Sequence, residues 1–388
     1  MARLSIFYIC TRRERMGYIM KMRLTLGILM LMTLSVIKVV NLAAEGTWEQ
    51  KANMPTSRSG FTTCVVDGKI FAIGGAITGL GDLSLSTVEM YDPKTDKWKR
   101  KADMPTARTG AAASVVDGKI YAIGGTALNK FKFDALVNGQ VRTFERWQPE
   151  ELPTVEMYDP DTDTWIQKAD MPTPRHTSTC VVDGKIYAIG GIAYKIKSFR
   201  LDTVEMYDPV TDTWATGKNM NHARGGAAVS VVDGNIYVMG GTGLPMIINH
   251  PGPFLSSIEV YDSKRKHWRE IGDMPTAKSG HTASVINGKI YVIGGYFRNQ
   301  GQHTKDYKTI EIYHPRTGRW TQKPDMPDAK VGHKAEVING NIYIIDEHNA
   351  TLFATVEVYD TGERQGVSPI DKLLKTWGVI KKVDRLRH

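Results

Sequence analysis

Val65-Val66-Asp67-Gly68-Lys69-Ile70-Phe71-Ala72-Ile73-Gly74-Gly75 is an apolar run, an Asp-Gly pair, a second apolar run and a double glycine. Upstream of it stand Met54-Pro55-Thr56, Arg58 and Gly60, and downstream come Val88-Glu89-Met90-Tyr91-Asp92-Pro93 and Trp98. The whole sentence is written six times. The double glycine recurs at Gly124-Gly125, Gly190-Gly191, Gly240-Gly241 and Gly294-Gly295, and its sixth site reads Asp346-Glu347. Successive copies lie 50, 66, 50, 54 and 52 residues apart, a period that signals a repeat architecture.

Inside each unit the apolar residues alternate with period two, as in Lys119-Ile120-Tyr121-Ala122-Ile123 and Val204-Glu205-Met206-Tyr207. β-Branched and aromatic residues bounded by glycine and Asp-Pro punctuation read as short strands. Asp67-Gly68, Asp117-Gly118, Asp183-Gly184, Asp233-Gly234, Asn287-Gly288 and Asn339-Gly340 each separate the first two strands. Such pairs suit type I′ hairpins, whose two central residues need positive φ. Turns such as Asp159-Pro160-Asp161-Thr162-Asp163 join the third strand to the fourth. Four antiparallel strands repeated six times predict an all-β, six-bladed propeller.

These motifs resemble the kelch family: the double glycine, the Tyr of Val-Glu-Met-Tyr-Asp and the Trp seven residues after it, across residues 46 to 361. The sixth unit has Tyr359 but no Trp seven residues on, whereas Trp48 stands six residues before Met54, as the other Trp residues stand before theirs. The N-terminal strand near Thr47 to Lys51 is therefore expected to complete the sixth blade and close the ring. Trp377 in the tail is the rival closer.

Three segments follow: a signal peptide or signal anchor over 1–44, the propeller over 45–361 and a basic tail over 362–388. Arg12, Arg13, Arg15, Lys21 and Arg23 precede the apolar run Leu24 to Ile37 and the small-residue exit Ala43-Ala44, a secretory pattern. The run is short for a span. A secreted or periplasmic location follows, with membrane anchoring through 24–44 as the alternative if the leader is uncleaved, and Met22 is a candidate start. The +9 charge sits in the ends: residues 1–44 carry seven Lys or Arg against one acid, and 362–388 seven against three. The propeller itself is near neutral, which argues against nucleic acid as a partner. Cys64 and Cys180 hold the same strand position two blades apart, beyond disulfide reach.

Arg58, Arg108, Arg175, Arg224, Lys278 and Lys330 share one position in the six units. Kelch proteins that bind acidic peptides use arginines there, so the resemblance implies a basic ring at one channel mouth. Its ligand would be a protein, an acidic peptide or a carboxylated sugar. The other reading pairs them with the equally periodic Glu89, Glu156, Glu205, Glu259, Glu311 and Glu357 as a structural set. Two inserts vary between units. Thr126 to Pro153 carries Phe131, Phe133, Arg142, Phe144, Arg146 and Trp147, and Thr242 to Ser257 carries Met246-Ile247-Ile248 and Phe254. Exposed aromatics beside arginines compose binding hot spots, so Trp147 and Phe254 join the candidate ligand-binding residues.

His176, His281 and His333 fall near the same mouth, without a metal-ligand spacing. No nucleophile motif, phosphate loop or paired carboxylates stand out, so neither cofactor nor metal is expected. The chain reads as an exported, non-catalytic binding module. The alternative is a carbohydrate enzyme such as a sialic-acid mutarotase, a type that the kelch resemblance includes. Copper-dependent galactose oxidases also carry kelch repeats, but neither Cys64 nor Cys180 sits in a loop suited to their Cys-linked tyrosine.

Overall fold

The computed structural model describes residues 46–363, apart from the segments 78–82, 138–139, 194–199, 245–251, 300–301 and 348–353. Residues 129–131, 136–137, 145–148, 299, 302–304 and 347 are described by backbone alone. The leader, Trp377 and most of the basic tail lie outside the described residues.

Six four-stranded antiparallel sheets form the disc. Blade 1 is built from Thr62–Val66, Lys69–Ile73, Val88–Asp92 and Lys97–Lys101, and blade 2 from Ala112–Val116, Lys119–Ile123, Val155–Asp159 and Thr164–Lys168. Blades 3 to 5 repeat this order, with first strands His176–Val182, Ala228–Val232 and Thr282–Ile286. Blade 6 takes Lys334–Ile338, Asn341–Glu347 and Ala354–Asp360, and its outer strand is Thr47–Met54 from the other end of the chain. The first strands of successive blades touch one another around the ring and frame a central channel.

Local chemistry explains the hairpins. Asp67 and Gly68 have φ of 49° and 69°, the left-handed pair that a two-residue I′ turn demands. Apolar packing then lies between blades. Cys64, Val66, Phe71, Ile73 and Val88 of blade 1 pack on Ile120, Ala122 and Tyr158 of blade 2, and comparable clusters fill the other five seams. Each blade is thus buried on both faces only if the ring is closed.

The double glycine is a seam device. Gly75 donates its N–H to the Arg108 carbonyl of the next blade at 2.9 Å, and a Cβ on Gly74 would stand 2.5 Å from that same oxygen. At this seam a larger residue would have to displace the neighbouring backbone, whereas blade 6 accommodates Asp346 at the same position. Outer-strand tryptophans tie the seams at the rim: Trp98 Nε1 donates to Ala52 O, Trp165 to Ala102 O and Trp214 to Ala169 O, each at 2.9 Å.

Trp48 is the clasp. It pairs with Tyr359 in strand register, and their ring centroids are 4.9 Å apart. At this seam the rim bond is missing among the described residues, where Trp48 Nε1 and Tyr359 Oη are both buried without hydrogen-bond partners. Glu363 substitutes for it. Its carboxylate accepts from Lys289 Nζ at 2.6 Å and Tyr291 Oη at 3.0 Å, tying the end of blade 6 to blade 5. The chain thus stays docked past residue 361, where a solvated tail was expected to begin. Cys64 and Cys180 are free thiols, and burial raises both their pKa values.

Candidate functional site

The six periodic cations lie under the loops that join second to third strands, but inside the blades. Arg58, Arg108, Arg175 and Lys278 are 0% exposed, Arg224 1% and Lys330 2%. Each meets the periodic glutamate of its own blade: Arg58–Glu89 at 2.7 Å, Arg108–Glu156 at 2.9 Å, Arg224–Glu259 at 2.7 Å, Lys278–Glu311 at 2.5 Å and Lys330–Glu357 at 2.9 Å. Arg175 pairs likewise with Glu205. The terminal nitrogens of Arg58 also donate to the carbonyls of Gly74, Thr87 and Ala72, while its buried Nε has no hydrogen-bond partner among the described residues. The same glutamates accept from the Met-Pro-Thr threonines, Thr56 at 2.9 Å and Thr106 at 2.6 Å. Burial lowers the pKa of Arg58 to about 10 against the pull of Glu89, so it stays charged at neutral pH.

The six cations expected as a ligand-binding ring at the channel mouth are thus placed inside the blades, each against a glutamate. None of the six is among the residues lining the channel, although Arg224 borders a smaller cavity beside it and its Nε, like that of Arg58, has no hydrogen-bond partner among the described residues. Sequence spacing located the ring but gave no side-chain direction. In blade 6 the double glycine is replaced by Asp346, whose carboxylate sits 3.6 Å from Lys330 Nζ and adds a second acid there.

Variation between blades is concentrated on the loops above these pairs. The insert of blade 2 is a long two-stranded hairpin, Thr126–Val137 on Gln140–Glu151, in continuous register. Phe133 and Phe144 stand opposite each other and stack at 5.8 Å, yet remain 48% and 39% exposed. Trp147 pairs with Lys130 along the backbone, and its side chain is outside the described residues. Phe254 is half-buried, with its ring 5.4 Å from Tyr296 and 5.1 Å from Phe297 of the blade 5 loop. Arg298 lies over Tyr296 at 5.1 Å, and Lys305 over Tyr307 at 5.1 Å. Phe254 thus joins two neighbouring loops into one aromatic and basic patch. Met246 to Ile248 are outside the described residues.

The channel encloses about 300 Å³ and is lined by the first strands of all six blades. Most of its wall is small and neutral, including Thr63, Ala112, Thr179, Ala227 and Ala283. Two charges break that pattern, Lys334 and Glu336 of blade 6. Glu336 accepts from Thr63 Oγ1 at 2.7 Å. Burial pushes its pKa up to about 7, despite that hydrogen bond and Lys334, while burial lowers Lys334. A carboxyl raised in this way favours folding when protonated, so its contribution is lost as pH rises from the ordinary 4.5 through about 7. Glu336→Gln is expected to stabilise the fold at pH 8 by up to about 3 kcal/mol and to change little at pH 5, read from melting curves. A lower midpoint at pH 8 would contradict this.

His281 and His333 also border the channel, 5% and 2% exposed. Burial, with nearby lysines, lowers both to about 3, so they are neutral at any ordinary pH. His176 meets Thr126 of the blade 2 hairpin instead. Among the described residues no group of three or more His, Cys, Asp or Glu converges as a metal site.

Sequence reasoning missed Lys334 and Glu336, although their signal was present. At the Lys334 position the other units carry Thr62, Ala112, Ser178, Ala228 and Thr282; at the Glu336 position they carry Cys64, Ser114, Cys180, Ser230 and Ser284.

A family model described as the KLHDC2/KLHL20/DRC7 Kelch-repeats domain matches residues 33–241, and one described as the Attractin/LZTR1 beta-propeller matches residues 156–356. Kelch-like protein 36 of Rattus norvegicus is 27% identical over 296 residues, which is 74% of this chain and 43% of the relative. Kelch-like protein terF of Aspergillus terreus is 30% identical over 266 residues, or 68% of this chain and 55% of the relative. The chain thus spans about half the length of the curated relatives it matches, or less. A solved structure titled "Structure of YjhT" is similar with a TM-score of 0.63 at 17% identity, covering 79% of this chain and 95% of that one, a likeness of fold alone. With the repeats in register, the ring closed by its own N-terminal strand and the match over residues 33–241, this chain belongs to the kelch-repeat β-propeller family.

Proposed function

We propose that this chain is an exported, non-catalytic binding module whose second-to-third-strand loops engage a protein partner. One observation carries the reading: the scaffold positions repeat from blade to blade, while the exposed aromatics stand on loops that do not. An isolated two-stranded hairpin is marginal in water by itself, and stacked, half-exposed Phe133 and Phe144 at its surface form an anchor for another protein. Acidic groups of that partner would meet exposed Arg142, Arg298 and Lys305 around the rings. The export component rests on the leader-like residues 1–44.

Affinity capture from the cell-envelope fraction with the full chain, compared with Phe133→Ser/Phe144→Ser, tests the reading. A protein retained by the parent and depleted about tenfold or more by the variant, at an unchanged melting temperature, is the expected result. Equal capture by both would remove the hairpin as the contact. N-terminal sequencing of the mature product checks the leader.

A further inference from the structure

The central channel carries a second feature that protein docking on the loops does not use. Lys334 and Glu336 are alternate residues of one strand, so both project from the same side, with Cα atoms about 7 Å apart. Each charge acts on the other across the wall, but no close ion pair joins them, and among the described residues the Lys334 ammonium has no hydrogen bond. Among the described residues Glu336 has one side-chain hydrogen bond, from Thr63. Both side chains are only half-buried, because the channel itself admits solvent. Its volume of about 300 Å³ is at the lower end of cavities that hold small molecules.

We propose that the channel binds a small zwitterion of amino-acid size, its carboxylate on Lys334 and its ammonium on Glu336. Charge decides the class. The two charges compensate each other only at a distance in a partly desolvated wall, and a ligand that places an opposite charge and hydrogen bonds directly on each offsets part of that desolvation cost. A simple anion would satisfy Lys334 but bring like charge towards Glu336, and a simple cation would do the converse. The remaining wall, hydroxyls such as Thr63 and Thr179 among alanines, suits a short polar body.

The test is isothermal titration of the full chain at pH 7.5 with L-serine, L-glutamine and γ-aminobutyrate. L-Lactate, ethanolamine and xylitol serve as the anionic, cationic and neutral controls. At least one zwitterion is expected to bind one per chain, at least tenfold more tightly than any control. Lys334→Met and Glu336→Gln should each weaken it tenfold or more. Should Lys334→Met fail to fold, Glu336→Gln alone decides, since that variant removes an ionisation the fold disfavours. Binding by no zwitterion, or equal binding by parent and Glu336→Gln, overturns the proposal. The hairpin variant Phe133→Ser/Phe144→Ser should bind the zwitterion as the parent does, which separates this outcome from that of the loop-docking reading.

Discussion

Arg175→Ala is expected to destabilise the propeller by about 3–5 kcal/mol, the effect of leaving one member of a buried ion pair uncompensated. The reason is local. Arg175 is fully buried, and its donors are used by Glu205 and by the carbonyls of Gly190 and Ala188. Truncation strands the Glu205 carboxylate in the blade, with Thr173 Oγ1 at 2.8 Å as a donor that remains. It also frees two carbonyls beside the double glycine that joins blade 3 to blade 4. Arg175→Met/Glu205→Met, which removes both charges, should recover a large part of that loss. Chemical denaturation checks both variants, with the midpoint as readout and the slope unchanged. A loss under 1 kcal/mol for Arg175→Ala would show that the pair is not built as described.

The larger effect is on the closing strand. Deleting residues 46–53 is expected to lower the thermal midpoint by at least about 10 °C, and to broaden the transition as the ring loses its cooperativity. The deletion removes every register partner of Val356 to Asp360, leaving only Met54 opposite Ala354, and removes the ring that covers Tyr359. It leaves Val356, Val358 and Tyr359 on an unpaired edge, and such edges recruit other chains, so aggregation should accompany unfolding. Removing Glu363 alone should do much less, because it replaces a single rim bond. Melting of the truncated chain at the parent temperature would mean that another segment fills the outer position of blade 6.

How legible was this in the sequence? Fold and closure were legible because both depend on register. Each Asp-Gly pair fixes a hairpin, each Val-Glu-Met-Tyr fixes a third strand, and Trp48 is identified by its distance to Met54. The blade 2 insert was read as variable but not as a hairpin, although Asn138-Gly139 between alternating apolar residues is a hairpin signal. The cation ring shows where register stops helping. Spacing placed Arg58 and its five counterparts at one end of each blade, but whether they point into the channel or into the sheet depends on packing. Their regularity was itself the clue: a cation and a glutamate present in all six units describe a scaffold. Lys334 and Glu336 went unread for the complementary reason, since they interrupt a pattern that the repeat alignment otherwise explains.

The division between repeated scaffold and unrepeated binding surface is tested most directly by a double-mutant cycle on Arg224 and Glu259, with methionine at either or both positions and stability measured by denaturant titration. Buried contact at 2.7 Å predicts a coupling of about 2 kcal/mol or more between the two sites. Additivity within about 0.5 kcal/mol would contradict the account, because the cations would then be held in the blades by something other than their glutamates.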